Sequence, residues 1–172
     1  MRCNLAKLRK TGADCKAGFE ISYLAHEPLL NFKTMNDNQI IYMGVNAPRI
    51  HQAIIGRLIY WLTDLYLKNK TELIAYPEAM IDESQTSPVP DVMLVNYDTD
   101  LTEVIIEITH TQGVPKDIEK LKNLMQVYRV GEGFVYDYKQ KRWHKFRPGG
   151  PETGEASAFC DAVGQDLSAF VL

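Results

Sequence analysis

Apolar and polar positions along this chain switch between a helical and a strand period, and the switches mark its elements. Asn46-Ala-Pro48 offers an N-cap followed by an early proline, which predicts a helix start. Over 49–67, Ile50, Ile54, Leu58, Trp61 and Leu65 recur at helical spacing as its core face. Three strands are predicted next, at 73–81, 91–95 and 103–109, separated by a polar, proline-bearing loop and the turn Tyr97-Asp-Thr-Asp. Gln112-Gly-Val-Pro115 opens a second helix over 116–128, with core positions Ile118, Leu121, Met125 and Tyr128, and Gly131 and Gly133 end it. Strands at 134–138 and 142–146 form a hairpin around Lys139-Gln-Lys141. Pro148-Gly-Gly-Pro151 ends regular structure and leaves a loosely patterned C-terminal extension over 148–172. Ahead of the first helix, Gln39-Ile-Ile-Tyr-Met43 reads as a strand and residues 1–35 as an N-terminal arm or hairpin. The order helix, three strands, helix, two strands predicts an α/β fold with a central mixed sheet and a helix on each side. With no repeat or linker, the 172 residues read as a single domain with its core at about 40–147.

Composition narrows the class. No apolar stretch is long enough to span a bilayer, and the charges in residues 1–10 are not followed by a signal-peptide core. Cys3, Cys15 and Cys160 are scattered, odd in number and without metal-ligand spacing, which predicts reduced thiols in a cytoplasmic protein rather than a zinc site. A net charge of -3 argues against a protein that coats nucleic acid, but not against a nuclease whose cations are local and whose acids bind metal.

Two carboxylates carry the candidate chemistry. Asp91 stands in Pro88-Val-Pro-Asp91-Val-Met-Leu-Val and Glu107 in Val104-Ile-Ile-Glu107-Ile-Thr109, both apolar runs of the kind that form buried strands. An unpaired buried carboxylate is costly, so an acid in such a place has a partner or a metal. Side chains alternate along a strand, so Ile105, Glu107 and Thr109 share one face while Ile106 and Ile108 share the other. If the two strands pair with both acids on one face, Asp91 and Glu107 can bracket one Mg²⁺ or Mn²⁺, with the backbone carbonyl of Ile108 as a third ligand. Such an ion polarises a phosphate and acidifies a bound water, which suggests phosphodiester hydrolysis.

Pro90-Asp91 followed by Ile106-Glu107-Ile108-Thr109 resembles the PD-(D/E)XK nuclease superfamily, and more closely its Uma-type restriction endonucleases. The likeness runs through His51, the Glu78 strand, Asp117 with the lysines that follow it, and Phe134-Val-Tyr-Asp137, covering roughly 42–146. The resemblance implies a restriction-endonuclease-like core and a metal-dependent enzyme that cuts DNA, with Asp91 and Glu107 as metal ligands. It also suggests a homodimer, in which two sites address two strands. The superfamily's lysine slot, two residues past the second acid, holds Thr109 here. In the Uma-type branch the lysine comes from the next helix, usually four residues after the aspartate, where this chain has Leu121; Lys120 or Lys122 then supplies it through a small register change.

Several residues stand beside this pair. Glu78 lines the same cleft as a third acid or faces water, and His51 contacts the site or lies on the helix surface. His110 reads as structural, and the helix macrodipole suffices to explain Asp117. The stretch 138–147 is the most basic of the chain, and Lys141, Arg142 and Lys145 are its candidate DNA contacts, or an edge strand's guard against self-pairing. The rival readings are an inactive nuclease fold serving as a DNA- or protein-binding module, which Thr109 and the acidic pI favour, and a hydrolase of another phosphate ester.

Overall fold

The computed structural model describes residues 47–84 and 86–171. The arm or hairpin expected over 1–35, the strand expected over 39–43 and the Asn46 cap lie outside the described residues. Helix α1 (Arg49–Leu67) begins after Pro48, which takes the N-cap position at φ -53° and ψ 143°. Then follow β1 (Leu73–Pro77), β2 (Val92–Asn96), β3 (Thr102–Thr109), α2 (Val114–Tyr128), β4 (Glu132–Asp137) and β5 (Arg142–Phe146). The C-terminal extension adds a ribbon of β6 (Phe159–Cys160) and β7 (Gln165–Asp166) and a short helix α3 (Ser168–Val171), none of which its weak patterning predicted. Strand β1 stops short of the expected 81 because Glu78 turns out of it at φ 42°.

Five strands form one sheet in the order β1-β2-β3-β4-β5. All neighbours are antiparallel except β3 and β4, which run parallel because α2 carries the chain back across the sheet between them. Helix α1 covers one face, burying Ile54, Leu58 and Leu62 against Val92, Val104, Ile106 and Phe134. Helix α2 covers the other, with Leu121, Leu124 and Met125 packed on Ile105, Val135 and Phe146. Among the described residues no helix is long and apolar enough to cross a membrane.

The buried stripe of α1 is not the expected one. Ile54, Ile55, Leu58 and Leu62 are buried, whereas Ile50 and Trp61 are 50% and 43% exposed. The helix carries apolar residues on several sides, and its packed stripe continues backwards from Leu62 through Leu58 and Ile55 to His51, in steps of three and four residues, which points that ring past the end of the core. Trp61 instead stacks on Phe170 of α3, with ring centroids 6.1 Å apart.

Helix α2 lies close on β4 because that strand offers Gly133. A Cβ there would stand 2.6 Å from Met125 Sδ and 2.9 Å from Leu121 Cδ1. Gly133→Ala is therefore expected to destabilise the protein by about 1–3 kcal/mol through overpacking, read as a lower urea midpoint. An unchanged midpoint would show that α2 can shift at no cost.

Candidate active site at the open end of the sheet

The chemistry-bearing side chains meet where β2 starts and β3 runs on past it. The last paired rung is Val92 with Ile106, so Glu107, Ile108 and Thr109 extend beyond the β2 edge. Two residues further, the residue opposite Ile108 is Pro90, which has no N–H to give, and strand pairing stops. Asp91 takes over: its Oδ2 accepts the Ile108 N–H at 2.7 Å and lies 3.1 Å from His51 Nε2. The His51 pKa is raised by that bond to Asp91, against the pull of burial, and further by the charge of Asp91, the Ile108 carbonyl and Glu78. The ring thus sits beside both Asp91 and the carbonyl of Ile108, and its Nδ1 is buried with no hydrogen-bond partner.

Glu107 projects to the α2 side and is 3% exposed. Lys120 reaches it from α2, with Nζ 2.8 Å from Oε1 and 3.0 Å from Oε2, and also donates to the Val89 carbonyl at 3.0 Å. Oε1 is within ion-pair distance but receives no well-directed hydrogen bond. Burial pushes the Glu107 carboxyl up to about 7; Lys120 opposes the rise, while Asp91 and Asp117 add to it. In the metal-free protein this acid titrates near neutrality.

That shift ties stability to pH. The folded carboxyl has a pKa above its ordinary 4.5, so between 4.5 and 7 the folded state holds a proton that the unfolded state has released. Stability is therefore present below that window and lost as pH rises through it, by about 3 kcal/mol. Glu107→Gln removes the linkage. Metal-free urea titrations should find it as stable as wild type near about pH 4 and more stable by about 2–3 kcal/mol near about pH 8. Parallel pH profiles for the two proteins would contradict the buried, poorly compensated acid.

Glu78 sits at the rim: its N–H donates to the Asp91 carbonyl at 3.1 Å, and its exposed carboxylate takes a bond from Gln52 Nε2 at 3.1 Å. Its φ of 42° is a left-handed backbone, strain that places the acid where an extended strand could not. Asp91, Glu107, Glu78, His51, Lys120 and Asp117 all line one cleft of about 600 Å³. Thr109 is buried beside it, donating to the His110 carbonyl at 3.4 Å, and packs against Gly113, where any Cβ would strike its Oγ1. His110 accepts the Gly113 N–H on Nδ1 at 3.1 Å, fixing the turn into α2.

Two sequence expectations are corrected. Lys122 lies about 200° round α2 from Lys120 and cannot share its target. Its ammonium instead donates to the Glu152 carbonyl and sits 5.4 Å from the centre of the Phe146 ring. Lys145 is 4% exposed, so it is no surface contact for DNA; its Nζ is 2.6 Å from Glu132 Oε1 and 2.8 Å from Asp161 Oδ2. Lys141 and Arg142 are exposed at the β4–β5 turn. Sequence reasoning missed the Val89 carbonyl, Gln52 and the cleft position of Asp117. The last was legible, because Asp117 and Lys120 are three apart and share a helix face.

Comparison with known proteins supplies a fold and little else. No family model and no curated protein matches the chain. Among solved structures it is similar to a "putative nuclease belonging to DUF820" from Anabaena variabilis, with TM-score 0.50 and 17% identity over 72% of this chain and 82% of that one. It is also similar to the type IIG restriction endonuclease BpuSI, with TM-score 0.44 and 13% identity over 60% of this chain and 12% of that one. The mixed five-stranded sheet flanked by helices is a restriction-endonuclease-like fold.

Proposed function

We propose that this restriction-endonuclease-like chain is a Mg²⁺- or Mn²⁺-dependent DNA endonuclease of the Uma type, with its active site in the cleft of Asp91, Glu107 and Lys120. The observation that carries the reading is Glu107: a carboxylate 3% exposed, on a strand that outruns its neighbour, with an ammonium at 2.8 Å and a second acid close enough to raise its pKa. No packing need explains an acid there.

The donors present fit a hard divalent cation. Among the described residues no three His, Cys, Asp or Glu side chains form a metal-ligand set. Magnesium, however, takes one or two carboxylates and keeps its waters. Asp91 and Glu107 would hold it, with the Ile108 carbonyl beside them. Bound there, the ion supplies Lewis acidity toward a phosphate oxygen and acidifies water. His51 and the Ile108 N–H fix the orientation of Asp91 by holding the same oxygen. Lys120, anchored on the Val89 carbonyl, keeps a positive charge at the cleft where phosphate charge grows in the transition state. The same ammonium supports this reading over that of an inactive fold, which would gain if both Lys120 and Lys122 turned to solvent.

Mn²⁺ titration tests the ligand set. Asp91→Ala should weaken Mn²⁺ binding by at least about 10–100-fold, the cost of losing even an outer-shell partner of a metal ligand. Equal binding by wild type and variant would remove the metal site.

A further inference from the structure

The β4–β5 turn lies at the same end of the sheet as the cleft. Thr109 pairs with Asp137 and Asp137 with Arg142, so the turn 138–141 caps the rung just past Glu107. From Asp91 at the start of β2 to Arg142 on β5 is three inter-strand steps, about 14 Å. That is close to the roughly 12 Å width of a DNA major groove.

The turn carries Lys139, Lys141 and Arg142, all exposed, and none of the three forms an ion pair among the described residues. It is also built to hold one shape. Asp137 is 2% exposed, and its Oδ1 accepts the N–H groups of Lys139 at 2.9 Å and Gln140 at 3.2 Å. Lys141 completes the turn at φ 53°. Guarding an open sheet edge does not account for Lys139 and Lys141, which lie in the turn and not on the β5 edge. On a chain of net charge -3, a rigid tip with three unpaired cations is a local exception.

We infer that this turn is a backbone clamp for the nucleic acid cut in the cleft, with Lys139, Lys141 and Arg142 each on a phosphate oxygen. The inference rests on the proposed nuclease reading and adds where the substrate lies: across the open end of the sheet, from α1 towards β5. The contacts are to phosphates, so they bring affinity and register and no base preference.

The test is anisotropy of a labelled DNA duplex of about 20 base pairs in EDTA, across a salt series. It compares wild type, Lys139→Gln/Lys141→Gln/Arg142→Gln, and a charge-matched control, Lys68→Gln/Lys70→Gln/Arg129→Gln. The control cations follow the C-terminal ends of α1 and α2, at the far end of the sheet. The turn variant should lower the slope of log K against log salt by about 2–3 and lose at least about 10-fold in affinity, while the control changes little. Equal losses in both variants, or none in either, would overturn the clamp. Wild type that binds no duplex would overturn it as well. Asp91-dependent Mn²⁺ binding then tells whether the metal site fails with it.

Discussion

Lys120→Met should lower plasmid cleavage by about 10²–10³-fold, the usual loss when one preorganised charge is removed from a reacting centre. Mn²⁺ affinity, measured at a pH where Glu107 is ionised even without Lys120, should not fall with it. Lys120 holds both Glu107 oxygens within 3.0 Å, so its removal frees that carboxylate for the cation. This split, with binding kept and turnover lost, separates a charge acting on the phosphate from a residue that merely supports the fold. Lys120→Arg should recover part of the rate, since a long cationic side chain can still reach the cleft. Lys122→Met is the matched control, because that ammonium is held at the Glu152 carbonyl. Full activity in Lys120→Met, or a loss in Lys122→Met instead, would show that the wrong lysine has been assigned.

Lys145→Met should cost about 3–5 kcal/mol, the range for removing one partner of a buried ion pair. Glu132 and Lys145 are each 4% exposed. The ammonium is 2.6 Å from Glu132 Oε1, 2.8 Å from Asp161 Oδ2 and 2.6 Å from the Phe159 carbonyl. Burial alone would depress the Lys145 pKa, yet Asp161 and Glu132 outweigh it and the net shift is upward. Glu132 also takes the N–H groups of Asp161 at 3.0 Å and Ala162 at 3.2 Å, and the Cys160 thiol at 3.1 Å. These contacts clasp the C-terminal ribbon to the sheet. Burial, then Glu132, push the thiol up to about 12, so Cys160 stays a protonated donor. Without Lys145 the Glu132 charge is left buried, and Tm should fall by roughly 10–20 °C. Lys145→Met with Glu132→Gln should regain a large part of that, since a neutral pair leaves no buried charge. A double variant no better than the single one would mean that packing, not charge, holds this region.

The sequence made the sheet and both acids readable because strands advertise themselves locally. An apolar run interrupted by one carboxylate is conspicuous, and prolines at 88 and 90 mark where β2 begins. Helix orientation was less readable. Apolar residues surround α1, so the stripe through Ile50 and Trp61 looked as good as the one through Ile55 and Leu62, and only packing against the sheet chose. That choice aims His51 at Asp91. For α2 the period alone separates Lys120 from Lys122 once Leu121 and Met125 are taken as the buried side. Lys145 misled for a different reason. Its pairing with Glu132 and Asp161 depends on a C-terminal ribbon whose two-residue strands leave no pattern to detect.

The central claim is that the Asp91–Glu107–Lys120 cleft hydrolyses DNA with a divalent cation. Cleavage of supercoiled plasmid in Mg²⁺ or Mn²⁺, wild type against Glu107→Ala, tests it most directly. The account predicts nicked or linear product from wild type, none in EDTA, and none from the variant. Cleavage that persists in Glu107→Ala would place the chemistry elsewhere, and no cleavage by wild type in either metal would contradict the nuclease itself.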